Sequence, residues 1–182
     1  MELFTQVRIP FPPERVFAAC RDDVAELVPY LPGIRSIEVT SRTDRGALVD
    51  LVVDWCSGAD VPAFVRAVLG SALFTWTDYS TWDASALAVD WRTEARALGG
   101  AMRCGARDVF LEDGSGKTLI EARGAIEIDP RKIPGVPAVF GASVGRALEK
   151  YLVANTSTSL TAMARAMSEH LAKKWPASLA AV

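Results

Sequence analysis

Residues 138–173 read AVFGASVGRALEKYLVANTSTSLTAMARAMSEHLAK, and this segment decides the fold of the chain. It contains no proline, and Pro176 follows it as a stop signal. A run of about 35 residues predicts a single helix roughly 50 Å long. Its middle is small and polar, where an ordinary core helix would carry leucines. The residues that recur at helical spacing and are predicted to share one face are Leu148, Leu152, Asn155, Ser159 and Met163.

Seven segments with alternating apolar and polar residues precede this helix, and each predicts a β-strand. After the first strand, PFPPERVFAAC and Arg21–Leu31 predict two short helices. The stretches TDRG and DGSG predict hairpin turns, because Asp and Gly suit tight turns. The predicted strands are residues 3–9, 34–42, 47–55, 73–82, 87–96, 102–112 and 117–128.

This order of elements predicts an α+β helix-grip fold. The connections between strands are short, which favours an antiparallel sheet, and a seven-stranded sheet curls. Its concave face needs a cover, and the long C-terminal helix is the only element large enough. One helix leaves part of a curled sheet unfilled, so we expect a cavity. A single domain is predicted over residues 1–175, with 176–182 as a tail.

The stretch ADVPAFVRAVLGSALF, residues 59–74, stands where a tight turn would suffice. Asp60 and Pro62 favour the start of a helix and Gly70 its end, so an extra short helix is predicted near 61–70. Its apolar residues lie on more than one side. Two interpretations stay open: a helix packed on the sheet rim, or a lid at the cavity mouth whose Phe64 and Val68 contact a ligand.

The chain resembles the START/SRPBCC helix-grip superfamily, which includes the birch-pollen allergen. Besides the order of elements, the resemblance rests on VPAFVRAVLG, TDYSTWD and IPGVPAVFGASVGRALEK, which are closest to a bacterial domain family of unknown function. A more distant likeness is to PRELI-type lipid-transfer proteins. The resemblance implies a hydrophobic ligand cavity, and it transfers no catalytic residue to this chain.

Composition and charge disfavour several classes of protein. The net charge of −2 gives no electrostatic signal for nucleic acid, and the aromatic stretch FTWTDYSTW lacks interleaved basic residues. No run of apolar residues is long enough for a membrane span, and the N-terminal stretch MELFTQVRIP does not resemble a signal peptide. Three dispersed cysteines indicate reduced thiols. We therefore expect a cytoplasmic protein, and the Ala- and Arg-rich composition is typical of a high-GC bacterium.

His170 is the only histidine, which argues against a zinc site and a Ser-His-Asp triad. We predict no metal and no cofactor, with His170 on the surface near the C-terminal end of the helix. Arg107 and Asp108 are adjacent on a strand, so one of them must face the covered side. The candidate cavity-lining residues are Phe64, Val68, Trp76, Trp91, Arg107, Asp108, Leu152, Asn155 and Ser159.

Three functional hypotheses follow. The preferred one is binding, with transport or sequestration, of a hydrophobic or lipid-like small molecule without chemistry of its own. The second is a polyketide cyclase/aromatase-type enzyme, with Asp108 or Arg107 as the acid or base. The third is a protein-interaction module that uses the apolar 61–70 segment. Ligand identity and oligomeric state stay open.

Overall fold

In the computed structural model, residues 1–58 and 75–176 are described. The predicted helix near 61–70, with Phe64 and Val68, lies outside these residues, as does most of the predicted tail. The described elements are β1 Glu2–Ile9, α1 Pro13–Asp22, a 3₁₀ helix Val24–Tyr30, β2 Ile34–Arg45, β3 Leu48–Ser57, β4 Thr75–Asp83, β5 Ala88–Ala95, a second 3₁₀ helix Arg96–Ala101, β6 Met102–Glu112, β7 Thr118–Ile128 and α2 Ala138–Lys174.

The seven strands form one sheet in the order β1-β7-β6-β5-β4-β3-β2, and every neighbouring pair is antiparallel. The predicted α+β class, the sheet and the long final helix are confirmed. The DGSG turn forms as expected: Asp113 Oδ1 accepts hydrogen bonds from the backbone N–H and hydroxyl of Ser115, at 2.9 and 2.7 Å. The second predicted short helix is a 3₁₀ helix that contains Pro29.

The concave face of the sheet carries two apolar clusters, one under each half of α2. Under its C-terminal half, Met167 and Leu171 join Phe17 of α1 and Leu51 of β3 in the larger cluster. Under its N-terminal half, Leu148 joins a smaller cluster with residues of the second 3₁₀ helix. The main contacts of α2 are with β1, β7, α1 and the first 3₁₀ helix. The helix therefore lies towards one side of the sheet.

Two glycines allow β5, β6 and β7 to approach closely where the sheet curls. A Cβ on Gly124 would collide with the carbonyl oxygen of Gly105 and with the side chain of Ala106. A Cβ on Gly105 would come within 2.9 Å of the carbonyl oxygen of Trp91. Both obstacles include backbone, which cannot move without distorting the sheet.

Gly124→Ala is expected to lower the free energy of unfolding by about 1–3 kcal/mol, the typical effect of overpacking. Urea denaturation measures the change. Gly100→Ala is the matched control, because no atom lies within 4 Å of its added Cβ. Equal stability of the two variants would contradict the close approach at Gly124.

Candidate ligand-binding face

The strand register defines which side chains share the concave face. Trp82 of β4 lies on this face, because its ring packs edge-on against Phe17 of α1 at 5.3 Å. Side chains alternate along a strand, so Trp76, Asp78 and Ser80 point the same way as Trp82. Cross-strand partners on β5 and β6 extend the same rows. We call the resulting group the central patch: Trp76, Asp78, Ser80, Trp91, Thr93, Cys104 and Ala106.

Every residue of the central patch is only half-buried. Several of its neighbours on the same face are buried, among them Leu51 and Val53 on β3 and Phe110 on β6. The centre of a face covered by α1 and α2 would be the most buried region if side chains filled it. The described part of the chain therefore leaves the middle of this face accessible.

The middle of α2 carries small polar side chains. Ser157 Oγ lies 3.0 Å from Thr5 Oγ1, which ties the helix to the edge strand β1. Leu152 is half-buried and packs in the smaller apolar cluster. Thr156 is half-buried as well. The main contacts of α2 with the sheet are with β1 and β7.

The helical spacing predicted that Asn155 and Ser159 share the buried face of α2, and this prediction is wrong. Both are exposed, whereas Thr156 and Leu160, one position later, are half-buried. The reason is the helical period: steps of three and four residues both fit 3.6 residues per turn. Spacing alone therefore could not distinguish the row of Asn155 and Ser159 from the adjacent row of Thr156 and Leu160. Because most residues here are small and polar, differences in hydrophobicity did not show which row is buried.

Asp108 is the residue of the adjacent pair that faces the covered side, and it is 8% exposed. Its Oδ1 accepts a hydrogen bond from Trp91 Nε1 at 3.0 Å. Burial raises the pKa of Asp108 to about 6, although the hydrogen bond from Trp91 acts to lower this pKa. Arg107 points outwards, is exposed and pairs with Asp90, so its placement among the lining residues is wrong.

Asp78 is a second inward carboxyl group that the sequence analysis missed. The Thr93 hydroxyl donates a hydrogen bond to Asp78 Oδ1. Burial raises the pKa of Asp78 to about 6, although Thr93 and the indoles of Trp76 and Trp55 favour the charged form. A signal was present in TWTDYSTWD, because alternation places residue 78 on the same side as Trp76 and Trp82.

Trp55 and Trp76 form a parallel stack beside Asp78, with ring centroids 5.7 Å apart and an interplanar angle of 5°. The Nε1 atom of Trp55 is buried and has no hydrogen-bond partner of regular geometry within the described residues. Buried indole N–H groups normally find an acceptor. The end of the central patch at Asp78 thus holds a carboxyl group flanked by two indoles.

Two recesses lie beside the sheet, and one of them reaches Trp76 of the central patch. One, of about 350 Å³, separates β1 from α2 and is lined by Gln6, Val7, Arg8, Thr161, Ala164, Arg165 and Ser168. The other, of about 140 Å³, lies at the ends of β2, β3 and β4 and includes the Trp55–Trp76 pair. The second recess brings solvent to the same tryptophans that flank Asp78.

His170 is buried, at 6% exposure, and the prediction of a surface histidine is wrong. Its Nε2 lies 2.9 Å from Asp23 Oδ2, and Lys174 Nζ donates to the same oxygen at 2.6 Å. Burial opposes ionisation of Asp23, but the hydrogen bonds from Lys174 and His170 hold its pKa below the usual value. The last turns of α2 pack on the first 3₁₀ helix, and this contact encloses the histidine.

Asp23, Glu26 and His170 form the one group of potential metal ligands in the part of the chain that the structure describes, with ligand atoms within 4.8 Å of one another. Lys174 already supplies a positive charge to Asp23. The contacts of His170 and Lys174 with Asp23 hold the C-terminal end of α2 against the start of the 3₁₀ helix.

The three cysteines form no disulfide. Burial, with the nearby charges of Asp108 and Asp23, raises the pKa of the Cys20 thiol to about 12. Burial and Asp78 raise the pKa of Cys104 to about 11. Both thiols are protonated at neutral pH, so neither is activated as a nucleophile.

No protein-family model matches the sequence, and no curated protein matches it significantly. Many solved structures share its fold. A protein from Thermus thermophilus is 22% identical with a TM-score of 0.63, over 92% of this chain and 97% of that chain. Zhui aromatase/cyclase from Streptomyces is 14% identical with a TM-score of 0.67, over 98% of both chains. A START superfamily protein from Mycobacterium smegmatis is 12% identical with a TM-score of 0.55, over 96% of this chain and 99% of that chain.

These likenesses and the strand order define the class: the chain has the helix-grip fold of START- and Bet v 1-like proteins. At such identities the solved structures show the fold alone. Among the described helices, none is long and apolar enough to cross a membrane.

The raised pKa values of Asp78 and Asp108 predict a pH-dependent cost of folding. A carboxyl whose pKa rises from 3.8 to about 6 destabilises the fold when it ionises, so its contribution to stability improves as the pH falls below about 6. Asp78→Asn and Asp108→Asn are each expected to raise the free energy of unfolding at pH 8 by up to about 3 kcal/mol, and the gain should vanish near pH 4.

Urea denaturation at both pH values measures these gains. Asp90→Asn is the control, because Asp90 is exposed on the outer face and should give no comparable gain at pH 8. Gains of the same size at both pH values would contradict ionisation as the cause.

Proposed function

We propose that the chain binds a hydrophobic or lipid-like small molecule in a cavity between α2 and the concave face of the sheet. The observation that carries this proposal is the half-buried central patch on a face where Leu51, Val53 and Phe110 are buried. Two apolar clusters border the patch, one at each half of α2. A ligand placed there would bury apolar surface that the described chain leaves accessible.

The chemistry of the lining supports an apolar ligand with a few polar contacts. Trp76 and Trp91 offer flat aromatic surfaces, while Ala106 and Gly124 take up little room between them. Mostly apolar walls with a small number of oriented polar groups are typical of small-molecule sites. Leu152 of α2 is proposed to line the same cavity. Phe64 and Val68 are proposed to close its mouth.

Ala106→Leu should fill the proposed cavity from the middle of β6. We expect the variant to fold and to lose at least tenfold in affinity for 1-N-phenylnaphthylamine, a neutral apolar probe whose fluorescence rises on binding. Arg107→Leu is the matched control, since it adds an equally apolar side chain on the outer face of the same strand.

Native mass spectrometry of the purified wild type would also show whether it retains an apolar ligand from the host cell. Probe binding that is equal in wild type and Ala106→Leu would contradict a cavity at the central patch. Absence of both probe binding and a retained ligand in the wild type would contradict the binding function itself.

A second candidate is acid–base catalysis of the polyketide cyclase/aromatase type. It is favoured by Asp108, an inward carboxyl group whose pKa of about 6 suits proton transfer near neutral pH. The same fold occurs in an aromatase/cyclase. Arg107, the other residue proposed for this role, faces outwards and is dropped.

Asp108→Asn separates catalysis from binding. If Asp108 transfers protons, the wild type should change the products formed from a synthetic poly-β-ketone, and Asp108→Asn should not, while both bind the naphthylamine probe. Liquid chromatography with mass spectrometry measures the products. An unchanged product distribution with the wild type would exclude this reaction.

A further inference from the structure

We infer that the cavity selects an amphiphile with a protonated primary amine and places the ammonium group against Asp78. This inference rests on the proposed binding function and adds the chemical class of the ligand headgroup. It starts from the polar groups of the concave face. The two acidic side chains that face the central patch, from β4 and β6, are Asp78 and Asp108.

Among the described residues, neither carboxyl is paired with a cation. Within residues 1–58 and 75–176, no Lys, Arg or His forms an ion pair with Asp78 or Asp108, and the groups that act on them are indoles, the Thr93 hydroxyl and the acidic Asp90. A buried charge is costly unless a partner of opposite charge or several hydrogen bonds compensate it. An incoming cation would supply this compensation, whereas a carboxylate ligand would add like charge.

The register shows that the two carboxyls cannot share one ammonium group. Asp78 lies opposite Thr93 of β5. Asp108 lies opposite Val89, four residues back along the same strand, a separation of about 13 Å along a strand. One headgroup therefore contacts one carboxyl.

Asp78 is the better placed of the two. Asp108 is buried and already accepts a hydrogen bond from the indole N–H of Trp91. Asp78 is half-buried and therefore reachable from the central patch. It also lies beside the stacked indoles of Trp55 and Trp76. A carboxylate next to aromatic rings is a favourable environment for an organic cation.

The hydrogen-bonding inventory favours a primary amine over a quaternary one. An ionised carboxylate accepts about four hydrogen bonds. The neutral donors around Asp78, which are the Thr93 hydroxyl and the two neighbouring indoles, supply fewer than that. A primary ammonium brings three N–H donors, while a quaternary ammonium brings none.

Four ligands with the same twelve-carbon chain test the inference: dodecylamine, dodecyltrimethylammonium, dodecanol and dodecanoate. Below their micelle concentrations at pH 7.5, displacement of the naphthylamine probe measures each affinity. We expect dodecylamine to bind at least tenfold more tightly than the other three. Asp78→Asn should remove this advantage, and an unchanged far-UV circular dichroism spectrum should show that the variant is folded. Asp90→Asn, on the outer face, should retain the advantage.

The outcomes separate this inference from the proposed function. If the naphthylamine probe does not bind, so that none of the four ligands can displace it, the binding function fails. If dodecanol or dodecanoate binds as tightly as dodecylamine, the binding function stands and the amine preference is overturned. Equal binding of dodecyltrimethylammonium, or an unchanged preference in Asp78→Asn, also overturns the assignment to Asp78.

Discussion

One helix cannot fill the concave side of a seven-stranded sheet, and the rest of this structure follows from that mismatch. The cylinder of a helix is about 10 Å across, whereas seven strands at about 4.8 Å span roughly three times that width. The chain resolves the mismatch by placing α2 towards β1 and β7. The short α1 and the 3₁₀ helix after it cover part of the remainder. Within the described residues, the central patch on β4, β5 and β6 stays accessible.

The long helix is held firmly although it leaves this space. Its N-terminal half packs through Leu148 in the smaller apolar cluster, and Glu149 accepts a hydrogen bond from the backbone N–H of Ile128 at 2.9 Å. Its C-terminal end is fastened by His170 and Lys174, which share one carboxylate oxygen of Asp23. Anchoring at both ends lets the middle carry small polar residues, because stability does not depend on apolar packing there.

The accessible space carries an electrostatic cost that points to function. Two carboxyl groups face inwards, and their raised pKa values show that the folded chain destabilises their charged forms. A protein selected for stability alone would place neutral residues at these positions. Carboxyl groups whose pKa is raised in this way are typical of sites that bind or transform a ligand. Both the binding proposal and the catalytic alternative use this same feature.

The sequence by itself determined the order of elements, the strand faces and the long helix. These follow from local patterns: alternation along strands, Asp and Gly in turns, and a proline-free run after Pro137. Tertiary structure decided the burial and the partners of individual side chains, which local patterns do not determine. His170 became a buried partner of Asp23, 147 residues away, through a contact that no local spacing encodes. The pairing of strands likewise decided that Asp78 and Asp108 face inwards while Arg107 meets Asp90 outside, because a side chain's surroundings depend on which strands and helices fold over it.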